Sequence, residues 1–491
     1  MVNKKKLYKF ILPVLTLGLC TFIIPSITFA QQESNYYGNS ESVTSVNDAI
    51  IKSILVIFQV SALGLTFNHL LFNIISSKKN NNPHYKSKIN ESDNIRFTKR
   101  FIIIVVFVSV AIIASSTGLM LLQSYELSQN LSLDIAYAFS LLYNTSVGQV
   151  WIIRIITAAI TTGLVFSIGV TNKIVSRKKS NHNPNLKDIG KMSNRISLTL
   201  LLGVIICSSV NLFSNSMVSH SNSLSSSSYL AVVTDWTHFM AVSFWIGGLF
   251  YLSTTFIQKI KLQDREVDES SKTNIDIETI NKKNNIDIAN SFRVAYHFSS
   301  LLMYFSLVAI VSLGIIGLTG LYLSLNLLQS INSLFITSYG QILLIKIGLT
   351  FFMIFLGRYN QIKIRNYAMS MSKVYFDGHV NNIRYKSDIH RENNEDTYNS
   401  FKTIDRSIKI ESLIGVSVLV VASFLTITSP PALEPPTGQT SHGIVNLTKN
   451  MEYLQFFALV VVLSIAITIL GMINFKRNLH QIREVYFPAT Q

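Results

Sequence analysis

Residues 101–123 read FIIIVVFVSVAIIASSTGLMLLQ, a run of 23 positions without a charge. A helix rising 1.5 Å per residue over that length crosses the ~30 Å hydrocarbon core of a bilayer. The run is apolar on every face, so a soluble amphipathic helix does not account for it. Eight further stretches share its character: 49–75, 150–171, 196–215, 229–257, 294–324, 335–358, 408–429 and 451–474. The chain as a whole agrees: of its 491 residues 48% come from AVILMFWYC and only 14% are charged, where a soluble domain carries about 25%. The expected fold is therefore an all-α, polytopic membrane helical bundle of nine transmembrane helices.

A signal peptide precedes them. Lys4, Lys5, Lys6 and Lys9 form a basic start, Phe10 to Ile24 an apolar centre, and Thr28-Phe29-Ala30 a cleavage site. Residues 1–30 are then the signal peptide and 31–48 an external segment, which places the mature N-terminus outside and the C-terminus in the cytoplasm. The charges support that orientation. Of 42 Lys and Arg, 34 fall in 76–100, 172–195, 258–293, 358–409 and the tail after 474, all cytoplasmic in this topology. The formal charge of +16 is thus mostly an insertion signal, and nucleic acid is not an expected partner. The opposite side is acidic, with Glu33, Glu41, Asp48, Glu126, Asp134, Asp235, Glu434 and Glu452, a field that concentrates cations. The polar loops around 264–288 and 377–406 lack apolar periodicity and are expected to have no fold of their own. With no P-loop and no soluble catalytic domain, an enzyme is not expected.

A short repeat organises the span. Thr145-Ser-Val-Gly-Gln149 precedes a helix with Arg154, and Thr337-Ser-Tyr-Gly-Gln341 precedes one with Lys346, every match at the same offset of 192. The helices before them end in Thr117-Gly118-Leu119 and Thr319-Gly320-Leu321. The implied architecture is two parallel four-helix repeats, 49–215 and 216–432, plus a last outer loop, ninth helix and tail over 433–491. Arg154 and Lys346, the buried basic repeat pair, either snorkel to the outer interface or each pair with a carboxylate or bind an anionic group inside the bundle.

The stretch from Met217 to Gly248 holds the chemistry. Met217 and His220 lie on the outer side; Asp235 and His238, three apart on a helix, share a face, with Trp245 two turns below. Imidazole binds copper, zinc, iron and nickel, and thioether selects Cu(I), so His220, His238, Met217 and Asp235 form a candidate metal site. Asp235 either contributes to it or fixes the His238 tautomer. Met120, Met451, His442 and Cys207 are accessory candidates, His69 and His297 mark a possible inner exit, and Gly247-Gly248 reads as close helix packing.

His220 followed by Thr234 to Gly248 resembles the pattern of the copper resistance protein D (CopD) family, a loop histidine, then D-x-x-H and W-x-G-G. Thr337 to Gly340 with Lys346, and Glu411 with Thr426 to Ala432, are similar to two further motifs of that family. The resemblance implies a multi-pass protein of the cell membrane that imports copper into the cytoplasm or otherwise serves copper homeostasis and resistance, with the copper ion and membrane lipid as its partners. Some relatives fuse an external copper-binding domain; residues 31–48 are too few for one, which leaves room for a separate extracytoplasmic copper-binding protein. Two alternatives stay open: a b-type haem redox protein, and an assembly factor delivering copper to a membrane oxidase.

Overall fold

The computed structural model describes residues 46–79, 99–180, 186–223, 228–256, 277–328, 330–380 and 387–433, and from 462 onward residues 462, 465, 466, 468–477 and 480. The signal peptide, His442 and Met451 lie outside them, as do the side chains of 277–300, including His297. The described residues are helical and contain no strand. In order the helices are α1 (Val46–Lys79), α2 (Lys99–Leu131), α3 (Ile135–Tyr143), α4 (Ser146–Ser180), α5 (Leu186–Met217), α6 (Ser228–Val242), α7 (Gly248–Tyr251), α8 (Ile277–Leu327), α9 (Ser333–Ile336), α10 (Ser338–Val380) and α11 (Ser387–Leu425).

Seven of these contain a stretch long and apolar enough to cross a membrane: Asn47–Ile74, Lys99–Leu131, Ser146–Ile174, Arg195–Met217, Leu301–Leu327, Ser338–Asn366 and Lys402–Leu425. The expected span 229–257 is helical over 228–256 but is not a single α-helix. Two π-helical segments, Ser243–Gly247 and Leu252–Phe256, flank α7 and reduce the α-helical runs to 15 and 4 residues. Of the expected ninth helix, the described residues 468–477 are helical and pack on α8. There a Cβ on Gly471 would come 2.6 Å from Ile310 Cγ2.

Two boundaries differ from the sequence expectation. The polar stretches taken as structureless loops are partly helix: α8 begins at Ile277, and α10 and α11 together cover 338–380 and 387–425. Nucleating a helix is the costly step and extending it is cheap. A helix already fixed by an apolar span therefore propagates into Lys-, Glu- and Asn-containing sequence that has no apolar face of its own.

The chain divides into two compact units, one of residues 1–59 and 102–236, the other of 60–101 and 237–491. In the first, α4 and α5 pack along each other. A sharp turn at Ser132, whose φ is 51°, ends α2. Asp134 then caps α3 by accepting from the Ala136 N–H at 3.0 Å, satisfying a donor that the first helical turn leaves unpaired. In the second unit α10 packs against α11 and α8. Its tightest contact joins α1 to the first π segment. A Cβ on Gly247 would lie 2.6 Å from the Val60 carbonyl oxygen and 2.7 Å from Gly64 Cα, so backbone meets backbone there, as the Gly247-Gly248 pair led us to expect. A π segment frees a carbonyl from the helix ladder. The Asn68 side chain supplies its donor, with Nδ2 3.1 Å from the Phe244 oxygen.

The two repeat turns have the same local structure. Thr145 Oγ1 accepts from Gly148 N at 3.2 Å, and Thr337 Oγ1 from Gly340 N at 3.0 Å, so a threonine opens α4 and α10 alike. Each glycine sits against the preceding short helix, where a Cβ would come 2.7 Å from Tyr143 Cα or 2.5 Å from Leu334 Cα.

Candidate functional site

Helix α6 carries the residue on which the site is built. His238 is buried, and its Nδ1 lies 2.9 Å from Thr319 Oγ1 on α8. The Thr319 hydroxyl has a single proton and gives it to the Ile315 carbonyl at 2.6 Å. With that proton engaged, Oγ1 suits a ring N–H at Nδ1, the tautomer in which Nε2 carries the lone pair. Metal-ligating imidazoles are commonly held in this way through one ring nitrogen. The Ile316 carbonyl and the Lys346 ammonium also act on the ring, and Gly320 lies beside it, where a Cβ would come 3.4 Å from Cε1. Thr319 is thus a hydrogen-bonding partner of the ring at Nδ1.

The other candidates are placed as follows. Met217 ends α5, half-buried, and His220 opens a 3-10 turn, also half-buried. Asp235 is buried. These three belong to the first unit and His238 to the second. Among the described residues no three His, Cys, Asp or Glu side chains gather in a metal-holding group. Met120 is buried, and Cys207 is half-buried with a free thiol.

Arg154 and Lys346, equivalent in sequence, have different surroundings. Arg154 is buried in the first unit and donates from Nε to Ser214 Oγ at 2.8 Å and from Nη2 to Asn215 Oδ1 at 2.8 Å. Gln59 and Asn211 extend the network, with Gln59 Nε2 2.6 Å from Asn211 Oδ1 and Asn215 Nδ2 2.7 Å from Gln59 Oε1. The guanidinium is held by neutral oxygens and does not snorkel. Hydrogen bonds to a charged group contribute about 1.5–3 kcal/mol each, which offsets part of the cost of burying the charge. Lys346 instead lies near His238.

Two clusters below His238 were not foreseen as partnerships. Trp245, in the first π segment, donates its indole N–H to Glu411 on α11, and Asn360 Nδ2 on α10 donates to Glu411 Oε2 at 2.7 Å. The sequence reading put Asn360 in a loop beginning at 358, whereas the helix continues and places it within the Ser338–Asn366 span. Further along, His69 Nδ1 lies 3.1 Å from the Tyr251 hydroxyl and its ring stacks on Phe101 at 3.9 Å.

Comparison with known proteins bears on this second unit. Residues 299–425 match the family model of copper resistance protein D, CopD. The CopD match includes Thr319, Lys346, Asn360 and Glu411 and begins after His238 and Trp245. The copper transport protein CutJ of Bacillus subtilis (strain 168) is 25% identical over 218 residues, 44% of this chain. The aligned part spans only 29% of CutJ. No solved structure matches.

Proposed function

We propose that this protein moves copper across the cell membrane into the cytoplasm. The CopD segment and the likeness to a protein named for copper transport support a copper-related role, and the membrane-spanning helices suit a carrier rather than an enzyme. The observation that supports the reading is the contact of buried His238 Nδ1 with Thr319 Oγ1 at 2.9 Å, which suits the tautomer that keeps Nε2 as the candidate ligand.

In this proposal the acidic outer side attracts the ion, Met217 and His220 capture it, and His238 receives it, with Asp235 nearby in sequence. Cu(I) suits the thioether and both oxidation states suit imidazole. Lys346 beside His238 opposes the charge of the incoming ion. That repulsion favours passage over storage, since conduction needs a site weak enough to leave. The two parallel repeats, the nine spans and the outside location of the mature N-terminus belong to the same proposal. A separate copper-binding donor on the outer side completes it.

The test is copper flux into proteoliposomes containing the full chain. We expect His238→Ala to lower the initial rate at least about tenfold, the size of effect expected for loss of one metal ligand or its orienting partner. An unchanged rate with normal protein content removes His238 from the route. Copper binding without flux would instead favour a delivery factor.

A further inference from the structure

We propose that Glu411 and Asn360 form a site for one hard monovalent cation of the sodium class, in the middle of the second unit. Glu411 is 4% exposed and lies in the middle third of the Lys402–Leu425 span. A carboxylate in that position is costly and is retained for a function or a partner. Its partners are both neutral: the Asn360 amide at 2.7 Å and the Trp245 indole. No basic side chain pairs with it from α10, α11 or the π segment among the described residues.

An excess of acceptors points to what is missing. A carboxylate offers about four acceptor positions, and the two donors fill two of them. The nitrogen of the Asn360 amide is committed to Oε2, so the amide oxygen has no share in that bond. That Oδ1 is buried and accepts no hydrogen bond, in a residue 5% exposed. Gly357, one turn earlier on α10, keeps the approach to the carboxylate open; a Cβ there would come 3.3 Å from Oε1. The pair therefore combines one uncompensated negative charge with unfilled oxygen lone pairs.

Protonation of Glu411 alone does not resolve this. A carboxyl O–H can reach Oδ1 only if the amide turns over, and its NH2 group then needs an acceptor of its own. A cation resolves both shortages at once, and oxygen-only donors select a hard ion. A single carboxylate matches a single charge, whereas calcium takes six to eight oxygens and commonly several carboxylates. Cu(I) seeks sulfur or imidazole, whereas the hydrogen-bonding partners of Glu411 are an amide and an indole. Transporters place coupling-ion sites near the bilayer midplane on irregular helices, and the π segment bearing Trp245 is one. That coupling role rests on the copper-transport reading; the existence of the cation site does not.

The experiment uses the purified full chain, free of copper, and measures equilibrium binding of radioactive sodium. Saturable binding of a single ion per chain is expected. It should be lost in Glu411→Gln, weakened about tenfold or more in Asn360→Leu, and kept in Gly118→Ala. Because Glu411→Gln can fail to fold, the unfolding midpoint of the unaltered protein is also compared in sodium chloride and in choline chloride at equal ionic strength. A rise specific to sodium supports the site. Absence of saturable binding, binding that survives Glu411→Gln, or an equal midpoint in both salts overturns it, as would be seen if a buried water or a proton satisfied the pair. Since copper is absent throughout, failure here leaves the copper reading untouched.

Discussion

Replacing Gly247 with alanine tests the backbone contact between α1 and the first π segment. The added Cβ would lie 2.6 Å from the Val60 carbonyl oxygen and 2.7 Å from Gly64 Cα, against ordinary carbon contacts of about 3.5–4.0 Å. Both obstacles are backbone, so no side-chain rotation relieves them, and α1 must withdraw by roughly 1 Å. Forcing a methyl into a packed contact costs about 1–3 kcal/mol, while alanine for glycine in a helix returns about 0.8–1.0 kcal/mol. The net expectation is a destabilisation of about 0–2 kcal/mol, to be read against Gly118→Ala, where a Cβ meets nothing within 4 Å and the helical gain stands alone. The two variants should therefore differ by about 1–3 kcal/mol, Gly247→Ala being the less stable. Reversible unfolding in detergent measures the difference. Gly64→Ala strikes the same contact, so once one alanine has parted the helices the second should cost less, and the double variant should fall short of the sum. Equal stability of Gly247→Ala and Gly118→Ala would refute the close approach.

Three other outcomes are expected. Thr319→Val keeps the shape of the side chain but removes the acceptor at His238 Nδ1, and copper affinity should fall about 10- to 100-fold in a binding titration. Thr337→Val, which removes the oxygen that accepts from Gly340 N, should lower stability by about 1 kcal/mol, and Thr145→Val should do so to a similar extent in a thermal melt. An epitope placed in 258–276 should be unreactive to antibody in intact cells and reactive after permeabilisation; labelling of intact cells would reverse the proposed orientation.

The membrane class was plain in residues 101–123 because hydrophobicity over 20 positions needs no tertiary information. The glycine pair at 247 and 248 was legible for a similar reason: small residues in a membrane helix have few other uses. His238 stood out as a buried imidazole, yet its orienting partner did not. Thr319 is 81 positions away, too far for any spacing rule to pair it with the ring. Glu411 and Asn360 are 51 positions apart, and Asn360 was hidden by a neighbouring arginine that made the region read as a loop. Arg154 was visible as a buried cation, but its neutral partners on α5, Ser214 and Asn215, carry no charge signal to pair it with. Composition also misled at 277–293, where polar sequence continues a helix that the membrane span has already nucleated.

The π segment at Ser243–Gly247 has a consequence for how this protein tolerates change. Each residue of an α-helix turns the chain by about 100°, so deleting one position there would restore a regular spiral and swing Trp245 away from the carboxylate it holds. The altered chain would be just as oily and almost as long, and no hydropathy profile would register the loss. Phase along the screw axis, more than greasiness, is what selection has to guard in this segment.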